Sequence, residues 1–456
     1  MVCKEADCYS ERAEGESRNL LCAQISLRGS PLRCVSPLHV PLERFGRNDI
    51  KRRHGSVYII VLASAMIVTI IGLGSLFAAR VQRRSAQVSE DCAEARLCAQ
   101  SAIELGLLFV KDQNWRSNWP NGTWLSNQQL GNGCFSLEGI DPRDGDLADS
   151  LYDPVVLTGI GTKGIAKRKV QVVLTANIKP LLALNTCLHA SGNIYVWLGQ
   201  KITAVGAPIS TNGCLYNLGT IEGDVEAVNV GSTGYITGHL TTPAAVKRMP
   251  DSQVISQYID KATVVPFTDT IDKQVLTPSY NPWGSTNADG VYFIDTSNND
   301  LTIKNSRIHG TLIVRLGDKK LTLDEAVFMH SYRSYYPVLI VDGKVKIKCR
   351  SDDYNLSETS CSTNYNPSGA PYLGVWDSDK YDSYPNEIQG LVYIKGTLEL
   401  EKTARIRGAI ICEGEVSCKE RNKIIHEPKL YTSPPDEFTF VDGVQLSPGS
   451  CKQVVD

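Results

Sequence analysis

An uninterrupted apolar run from Val57 to Ala79 limits what this chain can fold into more than any other feature. The run has 23 residues and no charged side chain. As an α-helix it would extend roughly 34 Å, enough to cross a hydrocarbon core of about 30 Å. A buried core helix would carry a polar stripe, and the apolar region of a signal peptide has only about 7–15 residues. We therefore predict a single transmembrane helix.

Basic residues on either side of this run predict its orientation. The upstream group is Arg44, Arg47, Lys51, Arg52 and Arg53, and the downstream group is Arg80, Arg83 and Arg84. Acidic residues soon follow the downstream group, so the upstream flank is the more positive one. The positive-inside rule then places the N-terminus in the cytoplasm. We predict a single-pass protein of the cytoplasmic (inner) membrane, with a large C-terminal domain that is periplasmic or extracellular.

The helical pattern continues beyond the apolar run, because no Pro occurs from Arg80 to Val110 and apolar residues recur at helical spacing. The predicted fold class is α+β: a long N-terminal transmembrane helix, a small antiparallel sheet and then a mostly β domain. The predicted segments are a disordered or mis-assigned leader (1–50), a transmembrane and amphipathic helix (51–111), a small antiparallel β subdomain (112–180), a β-solenoid-like domain (181–425) and a C-terminal tail (426–456).

A short phrase recurs in the second half of the chain. Its clearest copies, which join Ile-X-Gly to a short apolar strand, are Ile308–Val314, Ile388–Ile394 and Ile406–Cys412. Copies lie 15 residues apart, as at Ile221 and Ile236, or 18 residues apart, as at Ile388 and Ile406. These intervals suit one coil of a stacked solenoid. A right-handed β-solenoid is favoured, and a β-sandwich with Gly-rich turns is the alternative.

The region around the apolar run resembles the N-terminus of type IV minor pilins and type II secretion pseudopilins, most closely the tip-type members. The resemblance covers residues 51–115 and rests on Lys-Arg-Arg-His, Gly55, the apolar run and Arg-Val-Gln-Arg-Arg. It implies processing by a prepilin peptidase between Gly55 and Ser56. Ser56 stands where the family has an apolar first residue. Ile60 stands at the fifth mature position, where the family has a Glu that helps a subunit enter the filament.

The resemblance implies a membrane-anchored, pilin-like structural component of a type IV pilus or type II secretion-type assembly. Its partners would be the membrane and other pilin-like subunits or the secretion machinery. The alternative is a surface-anchored β-solenoid protein that binds or cleaves carbohydrate, an inference from fold-level analogy. A third class is a surface-binding module with Tyr-rich contact loops at Ser331–Tyr336 and Tyr381–Tyr384.

Composition and motifs argue against several other functions. The net charge is −2 over the whole chain, which gives no basic footprint for nucleic acid. No catalytic motif stands out, none of the seven His forms a pair at i, i+3 or i, i+4, and no small-molecule substrate is identified. The chain is therefore predicted not to be an enzyme and to need no cofactor.

Two acidic loops are weak candidates for calcium, which binds 6–8 oxygen ligands. The six candidate ligands are Asp141, Asp144 and Asp146 in the first loop and Asp377, Asp379 and Asp382 in the second. The first loop continues to Asp149 and Asp153. Neither loop has the spacing of an EF-hand, and solvated acidic loops are the favoured interpretation.

The 14 cysteines include two candidate disulfide pairs, Cys349 with Cys361 and Cys412 with Cys418. Each pair is close enough in sequence to form a bond in an oxidising compartment. Free, buried thiols are an equally weighted alternative, because spacing does not decide between them.

Overall fold

The computed structural model describes residues 54–112, 114–351, 353–402 and 405–454. The predicted leader, residues 1–50, lies outside the described residues. Helix α1 (His54–Phe109) is 56 residues long, which confirms the prediction of one long helix. The chain divides into two compact units between Gln82 and Arg83.

A small antiparallel sheet begins after α1 and the short helix α2 (Trp115–Asn118). Its first four strands are β1 (Gly122–Leu130), β2 (Gly133–Ile140), β3 (Val155–Lys163) and β4 (Ala166–Pro180). Neighbouring strands pair in the order of the chain. In β2 buried and less buried residues alternate along almost the whole strand, so one face packs on a core and the other does not.

Among the described residues, twenty strands of a second sheet follow, with a separate two-stranded antiparallel sheet between them in the sequence. The first eleven strands are β5 (Leu188–Ala190), β6 (Ile194–Val196), β7 (Lys201–Val205), β8 (Ile209–Asn217), β9 (Thr220–Glu222), β10 (Val225–Ser232), β11 (Tyr235–Ile236), β12 (Leu240–Thr241), β13 (Thr263–Val264), β14 (Thr270–Asp272) and β15 (Val275–Leu276). The others are β16 (Val291–Asp295), β17 (Leu301–His309), β18 (Thr311–His330), β19 (Leu339–Cys349), β22 (Glu387–Ile394), β23 (Leu398–Leu400), β24 (Arg405–Cys412), β25 (Val416–Cys418) and β26 (Asn422–Ile425). The two-stranded sheet is β20 (Leu356–Ser357) with β21 (Ser383–Tyr384).

The pairs within the second sheet are parallel, as in a solenoid. Ile388–Ile394 pairs with Ile406–Cys412 residue by residue, so two copies of the repeated phrase lie in adjacent coils. Gly408 has a φ of +145°, and a Cβ there would clash with the Gly390 carbonyl. The repeat therefore needs Gly where two coils come closest. The solenoid-like interpretation is confirmed, and the β-sandwich alternative is wrong because its sheets would be antiparallel.

The coils do not stack in the order of the sequence. The first coil, β5 to β7, lies between β8–β9 on one side and β24–β26 on the other. Leu188 thus pairs with Ile410, more than two hundred residues later. The segment that contains α3 (Val254–Asp260) connects β12 at one end of the stack to β13 at the other.

Two hydrophobic clusters stabilise the solenoid. The inner cluster fills the centre with Leu, Ile and Val from nearly every coil, including Leu312, Leu339 and Val392. The second cluster is formed by strand residues on the other face of the sheet, including Ile313 and Ile340. It is covered by α3, by a 3-10 helix (Leu182–Asn185) and by α5 (Lys429–Thr432). One further short helix, α4 (Glu358–Cys361), belongs to the excursion between β19 and β22.

The chain then returns to the first sheet. Strands β27 (Thr439–Leu446) and β28 (Lys452–Val454) both pair antiparallel with β4. Residues 426–456 were predicted as a tail, and the structure differs because this segment completes the sheet. Both strands bury few side chains, so they lack the alternation that indicates a strand in a sequence. The solenoid is therefore an insertion between two neighbouring strands, β4 and β27.

Candidate functional site

The apolar part of α1 exposes its side chains along its whole length. From Val57 to Ala79 almost every residue is exposed, and Ile67 and Leu73 expose 57% and 68% of their surface. An apolar surface of this extent is not stable in water and indicates a partner that is itself apolar. The helix qualifies as a candidate membrane span by its length and by an 18-residue window with a mean hydropathy of 2.5.

The Ser and Thr hydroxyl groups of this segment are hydrogen-bonded within the helix. The Ser64 hydroxyl donates to the Val61 carbonyl at 2.9 Å, the Thr69 hydroxyl to the Met66 carbonyl at 2.8 Å, and the Ser75 hydroxyl to the Gly72 carbonyl at 2.8 Å. No hydroxyl of these residues needs water as an acceptor. This is the arrangement that a hydrocarbon environment requires.

The predicted processing position lies at the start of α1. Gly55 and Ser56 belong to its first turn, because the helix begins at His54. Ile60 lies one turn further and exposes 66% of its surface. The structure does not test whether the bond between Gly55 and Ser56 is cleaved, so processing stays a prediction.

The second half of α1 packs on the antiparallel sheet through small residues. Ala95, Ala99 and Ala102 are fully buried there. A Cβ at Gly161 of β3 would clash with the Ala95 carbonyl and would lie 2.6 Å from the Ala99 amide nitrogen. Small residues on both elements thus bring the helix backbone against the strand.

The three Trp after α1 pack the connection onto this core. Trp119 stacks on Phe109 with ring centroids 4.4 Å apart. Trp124 lies 5.9 Å from Trp115 and 5.7 Å from Trp119. The rings belong to the hydrophobic core between α1 and the sheet and do not form an open ligand platform.

The first acidic loop brings together a different set of carboxylates from the predicted one. Asp141 and Asp144 are joined by Asp149 and Asp153, and one oxygen from each lies within 4.8 Å of the others. Asp146 does not belong to this group. Its carboxylate accepts a hydrogen bond from the Ala148 amide at 2.9 Å.

The second acidic loop holds its own chain in place. The Asn366 side-chain amide donates to Asp377 at 3.2 Å and to Asp382 at 3.0 Å. Asp379 accepts a hydrogen bond from the Tyr381 amide at 3.0 Å. Among the described residues these three carboxylates form no group with the spacing of a metal site.

The cysteines of both candidate disulfide pairs are free thiols in the structure. Cys349 lies in the inner solenoid core, whereas Cys361 lies in a separate cluster beside the excursion. Cys412 and Cys418 both point into the inner core from different strands. Burial raises the pKa of the Cys349, Cys412 and Cys418 thiols to about 12, so they behave as small apolar groups.

A cavity of about 530 Å³ lies on the solenoid beside the excursion. Its lining includes Phe328, Tyr332 and Tyr372, two imidazoles and the hydroxyl-bearing residues Thr277 and Ser279. A concave surface with several aromatic rings and a few polar groups is typical of small-molecule sites. Tyr332 belongs to one of the two Tyr-rich loops that the sequence indicated as contact regions.

His309 and His330 form one wall of this cavity. They are partners across β17 and β18, and their rings stack with centroids 5.2 Å apart. The ring of Tyr332 meets His309 edge-on at 5.3 Å. Burial, and then the neighbouring imidazole, lower the pKa of His309 to about 4, and burial also lowers that of His330. Both rings are therefore neutral at pH 7.

Sequence reasoning missed this pair because it searched for His at helical spacing. The two residues are 21 positions apart, which is the length of one coil here. A search for chemically similar residues separated by one repeat would have found them.

Comparison with known proteins gives only distant similarities. No protein-family model matches the chain, and no curated protein matches it. One similar solved structure is the competence-associated pilin ComZ from Thermus thermophilus, with 11% identity over 80% of this chain and 98% of that chain and a TM-score of 0.27.

Two other similar structures are ice-binding proteins. The domain from Shewanella frigidimarina has 14% identity over 54% of this chain and 97% of that chain, with a TM-score of 0.26. The glycosylated protein from an Arctic yeast has 12% identity over 55% of this chain and 94% of that chain, with a TM-score of 0.23. At these TM-scores, none of the three similarities assigns the chain to a family.

Proposed function

We propose that this chain is a membrane-anchored, pilin-like structural subunit that displays a β-solenoid outside the cytoplasm. The observation that carries the proposal is that the two halves of α1 have different surroundings. Residues 57–79 expose an unbroken apolar surface, while residues 95–103 of the same helix pack on an antiparallel sheet. A helix that is apolar at one end and sheet-bound at the other suits an anchor that supports an exported domain.

The position of the solenoid supports a display role. Both of its connections lead to adjacent strands of the small sheet, β4 and β27. The solenoid is therefore joined to the sheet as a single insertion, and the second half of α1 packs on the sheet. The proposed partners are the membrane and pilin-like subunits of a type IV pilus or type II secretion-type assembly, which would meet along α1. The proposed role is structural and does not involve catalysis.

Charge in the apolar segment is expected to abolish membrane anchoring. Lys at both Ile67 and Ile71 would cost about 2.5–3.5 kcal/mol per residue at the centre of a span. We expect the double variant to leave the membrane pellet after alkaline carbonate washing, while the wild type stays. Val88→Lys is the matched control, because Val88 is exposed on the same helix beyond the apolar run. Equal retention of the double variant and the wild type would contradict the anchor.

Pilin-type processing is tested by intact mass and N-terminal sequencing of membrane-extracted protein, with and without a prepilin peptidase. A mature chain that starts at Ser56 only when the peptidase is present supports assembly as a pilin-like subunit. An uncleaved chain in both cases would leave a plain signal-anchor protein and would contradict the pilin-like part of the proposal.

A second candidate role rests on the solenoid cavity. The aromatic rings beside neutral imidazoles and hydroxyl groups suit a neutral saccharide, whose ring offers apolar C–H faces and hydroxyl groups. Arg307 also lines the cavity, but its guanidinium donates to three backbone carbonyls. In this role the anchored solenoid would bind carbohydrate at a surface.

Loss of one aromatic ring is expected to weaken such binding by about two- to tenfold, since an aromatic contact contributes about 0.5–1.5 kcal/mol beyond its buried area. The measurement is binding of the detergent-solubilised chain to an array of neutral oligosaccharides, for wild type and Tyr332→Ala. Tyr335→Ala is the matched control, because both tyrosines expose 41% of their surface and only Tyr332 lines the cavity. Retention of no oligosaccharide, or equal losses in both variants, would contradict the carbohydrate role.

A further inference from the structure

The loop between β2 and β3 gathers four carboxylates at one point. Asp141 is the first residue after β2, and Asp153 lies two residues before β3. Asp144 and Asp149 lie between them in the sequence. One oxygen from each lies within 4.8 Å of the other three. Like charges at this distance repel each other, and a shared proton or a cation between them relieves the repulsion.

The burial of Asp141 distinguishes this loop from a solvated acidic turn. It exposes only 3% of its surface, and its Oδ1 accepts a hydrogen bond from the Arg143 amide at 2.7 Å. Its Oδ2 is fully buried and has no hydrogen-bond partner among the described residues. A buried carboxylate oxygen without a partner is costly, which points to a ligand for this oxygen.

Nearby cations neutralise only part of the charge. Arg143 pairs with Asp153 at 2.7 Å. Arg116 is buried beside the loop, but it donates to the carbonyls of Leu147, Leu151 and Asp153 and to no carboxylate.

We propose that Asp141, Asp144, Asp149 and Asp153 bind one Ca²⁺ ion, a site that is independent of the proposed anchoring role. Calcium–oxygen distances are about 2.3–2.6 Å, so two oxygens on one ion lie at most about 5 Å apart. The carboxylate oxygens meet this limit as they stand. Mg²⁺ at about 2.0–2.1 Å would need all of its ligands within about 4.2 Å. Water would complete the coordination of the larger ion.

Calcium at this loop would stabilise the sheet that supports the solenoid. Arg116 ties the loop to α2 through the backbone carbonyls, and its guanidinium lies over the Trp115 ring at 4.5 Å. The ion would hold the two ends of the loop together, next to β2 and β3. Binding of an ion at this loop should therefore be reported by the fluorescence of Trp115.

The test uses the full chain in detergent, stripped with EDTA and titrated with CaCl₂, MgCl₂ or TbCl₃. We expect saturable binding of one Ca²⁺ per chain, with a dissociation constant of about 10⁻⁴ to 10⁻³ M, as in extracellular modules. Mg²⁺ should bind at least about tenfold more weakly. Tb³⁺ should show Trp-sensitised luminescence that Ca²⁺ displaces, a readout that a purely structural loop would not give.

Asn substitutions separate ligands from neighbours. Asp144→Asn should lower Ca²⁺ affinity by about tenfold or more, because it removes a charged ligand from an exposed position. Asp146→Asn is the matched control, since Asp146 lies in the same loop and Asn can keep its hydrogen bond to the Ala148 amide. Asp141→Asn should act like Asp144→Asn, and a circular dichroism spectrum without metal shows whether it folds.

Three results would overturn the site: no saturable Ca²⁺ binding by the wild type, equal affinity for Mg²⁺, or an equal loss in Asp146→Asn and Asp144→Asn. Membrane anchoring is measured separately by carbonate washing, so failure of this site and failure of the anchor are distinguishable.

Discussion

Arg307→Met is expected to lower the free energy of unfolding by about 3–5 kcal/mol. Arg307 is the largest fully buried side chain, with 1% of its surface exposed. It donates to the carbonyls of Tyr365 at 2.6 Å, Ala370 at 2.8 Å and Pro371 at 2.7 Å. Met has a similar length but no donor, so all three carbonyls would lose a hydrogen bond, two of them in buried positions.

The three carbonyls belong to the excursion between β19 and β22, so this segment should loosen first. Urea unfolding monitored by circular dichroism gives the stability, and limited proteolysis within residues 353–386 reports the local effect. Arg315→Met is the matched control on the same solenoid, because Arg315 is half exposed and pairs with Asp295 at 3.6 Å. Such a surface pair contributes about 0–1 kcal/mol. Equal stability of the two variants would show that Arg307 does not hold the excursion.

Gly161→Ala is expected to destabilise the contact between α1 and the sheet by about 2–3 kcal/mol. The new Cβ would meet backbone atoms of Ala95 and Ala99, which cannot move without a shift of the whole helix. Gly159 lies two residues earlier on the same strand and would clash with the Ala99 carbonyl in the same way. The small-residue contact therefore has no room for a methyl group at either position.

Tryptophan fluorescence during urea unfolding reports on this core, because three of the six Trp, Trp115, Trp119 and Trp124, lie in or against it. Gly72→Ala is the matched control on α1. A Cβ there meets no atom within 4 Å, and Ala is the better helix former. An unchanged fluorescence midpoint for Gly161→Ala would mean that the helix does not pack on β3 as the structure shows.

Local pattern was sufficient for α1 and for the repeated strands. The absence of Pro and the helical spacing of apolar residues predicted a helix close to His54–Phe109, because both signals act within a few turns. The phrases at Ile388 and Ile406 indicated adjacent coils, and the structure pairs them residue by residue. In both cases the information lies within a short stretch of chain.

The candidate sites were predicted only in part, because each depends on residues that different elements bring together. Asp141 and Asp144 were expected as neighbours, but a bend of the loop replaces Asp146 with Asp149 and Asp153. His309 and His330 meet only because their strands are one coil apart. Cysteine spacing left two alternatives, and core packing places Cys349 and Cys361 in different clusters.

Sequence alone was enough to predict an apolar helix, a small sheet and a repetitive β domain, because helix formation, strand alternation and coil repetition are short-range properties. Long-range contacts made the remaining choices. They stack the first coil on the last, Leu188 against Ile410, and they return residues 439–454 to β4. These pairings join strands whose sequences, taken one at a time, predict a strand only weakly. Their partners are selected by the shared core and by unpaired strand edges, which exist only once the rest of the chain has folded.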